Sequence, residues 1–127
     1  MQVTTGVDII EVKRIQESIE KLGDAFLNRI YTTEEIAYCN KSTHMKYQHF
    51  AARFAAKEAV FKALSEFING REDALWKEIE IVNNSDGKPK INVDKLKKNQ
   101  LENLKNIDVS VSHIKEYAVA SVVAVIE

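Results

Sequence analysis

Apolar and polar positions change period several times along the chain, and each change marks an element. Val3, Thr5, Val7 and Ile9 alternate with Thr4, Gly6, Asp8 and Ile10, the two-residue period of a strand. Ile15, Ile19, Leu22 and Phe26 then recur at helical spacing, and Gly23-Asp24 divides that stretch into a helix and a short second one. Thr32 followed three residues later by Glu35 has the form of a capping box, opening a helix to about Cys39. The span from Lys46 to Phe67 holds neither Gly nor Pro and is rich in alanine, the best helix former. Phe50, Phe54, Phe61, Leu64 and Ile68 share one stripe of that helix, and Ala51, Ala55, Ala59 and Ala63 form a small-residue ridge. The spacing therefore predicts a long, mostly buried helix whose ridge lets another backbone approach closely.

After Gly70 the period returns to two. Ile79 and Ile81 alternate with Glu78 and Glu80, Asn84-Ser85-Asp86-Gly87 is a turn, and Pro89 to Val93 resumes the alternation as a hairpin. Asp94 to Lys105 reads as a lysine-rich helix or loop. Ile107, Val109 and Val111 then alternate with Asp108, Ser110 and Ser112, and a turn at 114–116 leads into an apolar strand from Tyr117 to Ile126. The expected fold class is α+β: one domain over residues 1–127, with a largely antiparallel sheet packed on one long helix.

Composition narrows the function classes. Apolar residues make up 45 % and charged residues 29 % of the 127, the profile of a globular chain, and the net charge of −1 gives no general affinity for polyanions. The single cysteine, Cys39, rules out an internal disulfide and suits a reducing compartment. No secretory leader pattern opens the chain, and the apolar run from Ala118 to Ile126 is too short for a bilayer, so a cytoplasmic protein is expected, with neither membrane nor nucleic acid as partner.

Candidate chemistry begins on the long helix. Glu58 falls about 40° from Phe54 and Lys57 flanks the same stripe on its other side, so both sit at the edge of the core. A carboxylate there must be paired, hydrogen-bonded or metal-bound. A structural ion pair with Lys62 or Arg53 is one reading of Glu58. Asp8 interrupts a strand-like run and reads locally as the cap of the helix that follows. Taken together, Asp8 and Glu58 are two hard-oxygen donors from separate elements, which suits Mg²⁺, and Arg53, Lys57 and Lys62 add the cations that phosphoryl chemistry needs. His44, His49 and His113 have no zinc-ligand spacing with Cys39, and no nucleophile elbow or phosphate-binding glycine loop is present.

Gly6-Val7-Asp8-Ile9-Ile10-Glu11 and the run Arg53 to Ala63 resemble the two signature motifs of bacterial holo-acyl-carrier-protein synthases, small members of the 4′-phosphopantetheinyl transferase superfamily. Phe26 to Glu35, the Asn84–Pro89 turn and the closing hairpin Val109 to Ala120 are similar in order and spacing, so the resemblance covers nearly the whole chain. It implies transfer of 4′-phosphopantetheine from coenzyme A to a serine of an apo-acyl carrier protein, in fatty acid biosynthesis. It implies Mg²⁺ held by Asp8 and Glu58, and coenzyme A phosphates contacted by Arg53, Lys57 and Lys62, with Lys62 assisting the leaving group and Asp8 and Glu58 in the catalytic set. Asn84, Gly87, Lys88 and Pro89 would lie against the adenine, and Ser112 and His113 would approach the nucleotide from a neighbouring subunit of a homotrimer. Arg14 and Lys21, seven residues apart on the first helix, would receive the acidic carrier protein. A second reading keeps the same fold as a non-catalytic trimeric nucleotide-binding or scaffold protein; a third, an RNA-binding module using the lysines of 88–105, lacks aromatics among them.

Overall fold

The first strand turns its apolar side outward. In the computed structural model, which describes residues 1–70 and 72–127, β1 (Gln2–Glu11) pairs antiparallel with β5 (Tyr117–Ile126), which pairs antiparallel with β4 (Leu104–His113), in the order β1-β5-β4. Gly6 and the half-buried Thr4, Asp8 and Ile10 face inward, whereas Val3, Val7 and Ile9 are exposed, Ile9 by 66 %. The alternation expected of this strand is present, but its buried face is the one with the smaller and more polar side chains.

The reason lies in what packs beneath it. Helix α4 (Lys46–Leu64) runs under β1 and β5, and its ridge Ala51, Ala55, Ala59 and Ala63 is buried. A Cβ on Gly6 would collide with the carbonyl oxygen of Ala59 and lie 2.8 Å from the amide nitrogen of Ala63. Strand and helix meet backbone to backbone, and only glycine fits at the crossing. On α4's other sides Phe50, Val60, Phe61 and Leu64 complete the core with Val12, Ile15 and Ile19 of α1 (Val12–Leu22) and with Trp76. The helix ends at Leu64, short of Phe67.

The remaining elements frame one end of α4. Gly23, at positive φ, separates α1 from α2 (Asp24–Ile30), as the sequence indicates. Thr32 and Glu35 form the expected capping box at the start of α3 (Thr33–Asn40). A short helix α5 (Glu72–Leu75) and a 3₁₀ turn at 76–78 lead to the hairpin β2 (Glu80–Asn83) and β3 (Pro89–Asn92), paired Ile81 to Ile91. The lysine-rich stretch resolves into α6 (Asp94–Gln100) and the start of β4. The architecture is α+β with antiparallel sheets, as expected.

Candidate active site

Two groups of site residues lie on different sides of α4. Arg53 and Lys62 are nine residues apart, about 180° around the helix. On the β1 side, Asp8 is not a cap: it sits in the strand opposite Ala120, and α1 begins after Glu11 with no side-chain cap. The inward period of the strand carries the Asp8 carboxylate to the helix, where its Oδ1 accepts from Lys62 Nζ at 3.3 Å. The same ammonium donates to the Val7 carbonyl at 2.8 Å, and the Lys62 side chain remains 55 % exposed. Glu58, half-buried, lies one turn back along α4, about 6 Å of rise from Lys62. A carboxylate from a strand, a carboxylate from a helix and a half-exposed ammonium thus share the β1–α4 seam.

That donor set fits Mg²⁺. Both protein donors are hard carboxylate oxygens, the kind Mg²⁺ prefers.

On the other side of α4, Arg53 is buried against α3 and the β2–β3 hairpin. Its guanidinium stands 4.1 Å from the Tyr38 ring centre, and its Nη2 donates to Asn83 Oδ1 at 2.5 Å. Asn83 in turn donates from Nδ2 to the Gly87 carbonyl at 2.8 Å, so one arginine holds the hairpin turn through one asparagine. Gly87, at φ 86°, supplies the left-handed residue the turn needs. Two adjoining depressions of about 400 and 170 Å³ open here and share Tyr38, Arg53, Ile81, Asn83 and Gly87. Asn84 borders the larger; Pro89, His49 and His113 border the smaller. His113 Nδ1 lies 2.7 Å from Gln48 Oε1, and its ring meets His49 edge to face at 5.7 Å. Burial, then His113 and Arg53, push the His49 pKa down.

The structure therefore gathers Arg53, Asn84, Gly87, Pro89 and His113 around one cleft and Asp8, Glu58 and Lys62 along the β1–α4 seam. Ser112 points out from the sheet, and Lys88 borders a surface depression with Asp108 and Ser110. Arg14 and Lys21 are exposed on α1.

Lys57 requires a correction. Its side chain is 0 % exposed and its ammonium is saturated, donating to the carbonyls of Ile30 at 2.8 Å and Trp76 at 2.9 Å and pairing with Glu35 Oε1 at 2.7 Å. Burial lowers its pKa against the opposing pull of Glu35. No face of Lys57 is left for a phosphate, because the helix turns it into the core behind Arg53. The partner was half visible, since the capping box already placed a glutamate at position 35; Tyr38, His49 and Asn83 carried no such signal.

This sequence and this fold match known proteins. Residues 4–122 match the model of the 4′-phosphopantetheinyl transferase superfamily. Holo-[acyl-carrier-protein] synthase from Ruminiclostridium cellulolyticum is 44 % identical over 94 % of this chain and 90 % of its own length. The protein of the same name from Solibacter usitatus is 42 % identical over 97 % and 98 %. The crystal structure of the Neisseria meningitidis synthase superposes with a TM-score of 0.80 at 31 % identity, over 95 % of this chain and 96 % of that one. The Bacillus anthracis synthase, solved in complex with CoA (3′,5′-ADP), gives 0.76 at 32 %, over 95 % and 94 %. The chain belongs to the 4′-phosphopantetheinyl transferase superfamily and, within it, to the family of holo-acyl-carrier-protein synthases.

Proposed function

We propose that this protein transfers 4′-phosphopantetheine from coenzyme A to a serine of apo-acyl carrier protein, releasing adenosine 3′,5′-bisphosphate. The observation that carries the reading is the β1–α4 seam, where Asp8 meets Lys62 one turn from Glu58. The serine oxygen attacks the β-phosphorus of coenzyme A; the new P–O bond forms as the bridging P–O bond to adenosine bisphosphate breaks. Glu58 receives the serine proton, at a seam half open to solvent. Lys62, its ammonium exposed but anchored on Val7 and Asp8, stands to neutralise or protonate the departing phosphate. Mg²⁺ bound by Asp8 and Glu58 would supply Lewis-acid polarisation and charge neutralisation at the pyrophosphate. The Arg53 cleft, with Asn84, Gly87, Pro89 and His113, would receive the nucleotide.

The same reading makes the protein a homotrimer, with seam and cleft of neighbouring subunits forming each site. Support comes from the sheet's outer face, where Val3, Val7, Ile9, Tyr117 and Val123 are exposed together, an apolar area a monomer would leave in water. Ser112 and Lys88 would then reach the nucleotide from that face. Arg14 and Lys21 would take the acidic carrier, and the lone buried thiol Cys39 fits a cytoplasmic role in fatty acid biosynthesis.

The test is the mass of an apo-acyl carrier protein after incubation with this protein, coenzyme A and Mg²⁺. A gain of one phosphopantetheine, lost with a chelator and with Asp8→Ala, is expected. No gain on several carriers by a folded protein would overturn the reading.

A further inference from the structure

The buried ion pair does more than fill space. Glu35 is 1 % exposed, and its two oxygens serve three donors from three places in the chain. Oε1 accepts from the Thr32 amide at 2.8 Å and from Lys57 Nζ at 2.7 Å; Oε2 accepts from the Ile81 amide at 2.7 Å. Ile81 belongs to β2, which among the described residues pairs with β3 alone, so its outward N–H faces away from the ladder and takes a carboxylate instead. Ile81 also lines both depressions of the cleft, and two residues on, Asn83 is held by Arg53.

We propose that Glu35 is a positioning residue: through the Ile81 amide it fixes the β2–β3 hairpin against α4 and so sets the cleft for its nucleotide. Lys57 neutralises the Glu35 carboxylate, whose orientation the Thr32 and Ile81 amides hold, and touches no ligand. This inference rests on the cleft being the coenzyme A site.

The pair makes an unusual prediction for substitutions. In Glu35→Gln only one oxygen remains. The buried ammonium of Lys57 draws that oxygen to itself, and the amide NH₂ is turned toward the Ile81 N–H, donor against donor. In the double variant Glu35→Gln/Lys57→Met the ammonium is gone, the single amide oxygen is contested only by the Thr32 and Ile81 N–H groups, and Ile81 regains it part of the time. In Lys57→Met alone, Glu35 keeps both backbone contacts.

Three readouts test this. Amide hydrogen exchange at Ile81, measured by NMR without ligand, should accelerate at least ten-fold in Glu35→Gln while α4 core amides stay protected, and should return toward wild type in the double variant. The KM for coenzyme A should rise about ten-fold in Glu35→Gln, the size of one hydrogen bond to a charged group, with kcat per folded molecule within two-fold. Calorimetric binding of 3′,5′-ADP should weaken in parallel. Lys57→Met should lose thermal stability yet keep the wild-type KM. Loss of folded fraction with unchanged KM in Glu35→Gln, or unchanged Ile81 exchange, would overturn the proposal. If Glu35→Gln does not fold, a raised KM in Lys57→Met, which keeps the Ile81 contact, overturns it equally, and an unchanged KM with protected Ile81 supports it. A wild-type protein that binds 3′,5′-ADP but modifies no carrier would remove the transferase reading and leave this one standing.

Discussion

Gly6 rests against Ala59 with no room between them for a methyl group. The atoms a Cβ would meet are backbone atoms of α4, which cannot swing aside as a side-chain end would. Gly6→Ala should therefore push β1 off the helix and cost about 1–3 kcal/mol, the range for overpacking a core. Chemical denaturation read by far-UV circular dichroism would show the midpoint fall, and transfer activity should fall with it, since Asp8 is two residues along the same strand.

Lys57 and Lys62 stand five residues apart on one helix and should respond to alanine in opposite ways. Lys57→Ala strands the buried Glu35 carboxylate and should cost about 3–5 kcal/mol of stability. Lys62→Ala removes an ammonium that is 55 % exposed, with its ion pair to Asp8 and its bond to the Val7 carbonyl, and should change stability by about 1 kcal/mol. The transfer rate, however, should drop on the order of 10²–10⁴-fold if Lys62 serves the leaving group. Parallel melting curves and steady-state rates on the two variants separate the roles.

Much of this was legible in the chain and some was not. Periodicity found β1, α4 and both hairpins because those signals are local. Which face of β1 is buried was not local: it is decided by the alanine ridge some fifty residues away, which demands Gly6 and so turns Val7 and Ile9 outward. The cap reading of Asp8 failed for the same reason, since nothing in Val7-Asp8-Ile9 announces Lys62. Lys57 and Glu58 border the same apolar stripe, and only the contact with Glu35, brought by the fold of α3, assigns one to the core and the other to the seam.

The outward face of β1 offers a direct check on assembly. Ile9→Lys places a charge in the middle of the exposed apolar area without touching the core. With the proposed assembly, the wild type should sediment as a trimer and the variant as a folded monomer.

Cys39 is fully buried, and burial pushes its thiol pKa up to about 12. It should resist a thiol reagent at pH 8 until the chain unfolds. An unfolded cysteine ionises near pH 8.5, so between about pH 9 and 12 only the unfolded state releases this proton, and stability falls as pH rises through that window. Denaturant midpoints between pH 8 and 10.5 should decline more steeply for the wild type than for Cys39→Ala.

His49 gives the opposite limb. Its pKa is lowered in the fold by burial, then by His113 and Arg53, so on acidification through about pH 6.5 the unfolded chain takes up a proton that the native state resists. Stability should fall from pH 7 toward pH 5, and His49→Gln should flatten that part of the profile in thermal melts.

In the proposed trimer, the opposed placement of Arg53 and Lys62 on a single helix would give each polypeptide two different halves of a working centre. If neighbours join those halves, damage to one half does not spoil the other. A protomer crippled at Asp8 and one crippled at His113 would each be inert alone, yet co-assembled they would restore an intact centre wherever a sound seam abuts a sound cleft. Two defective alleles expressed in one cell would then rescue each other, as they would not if every subunit worked alone.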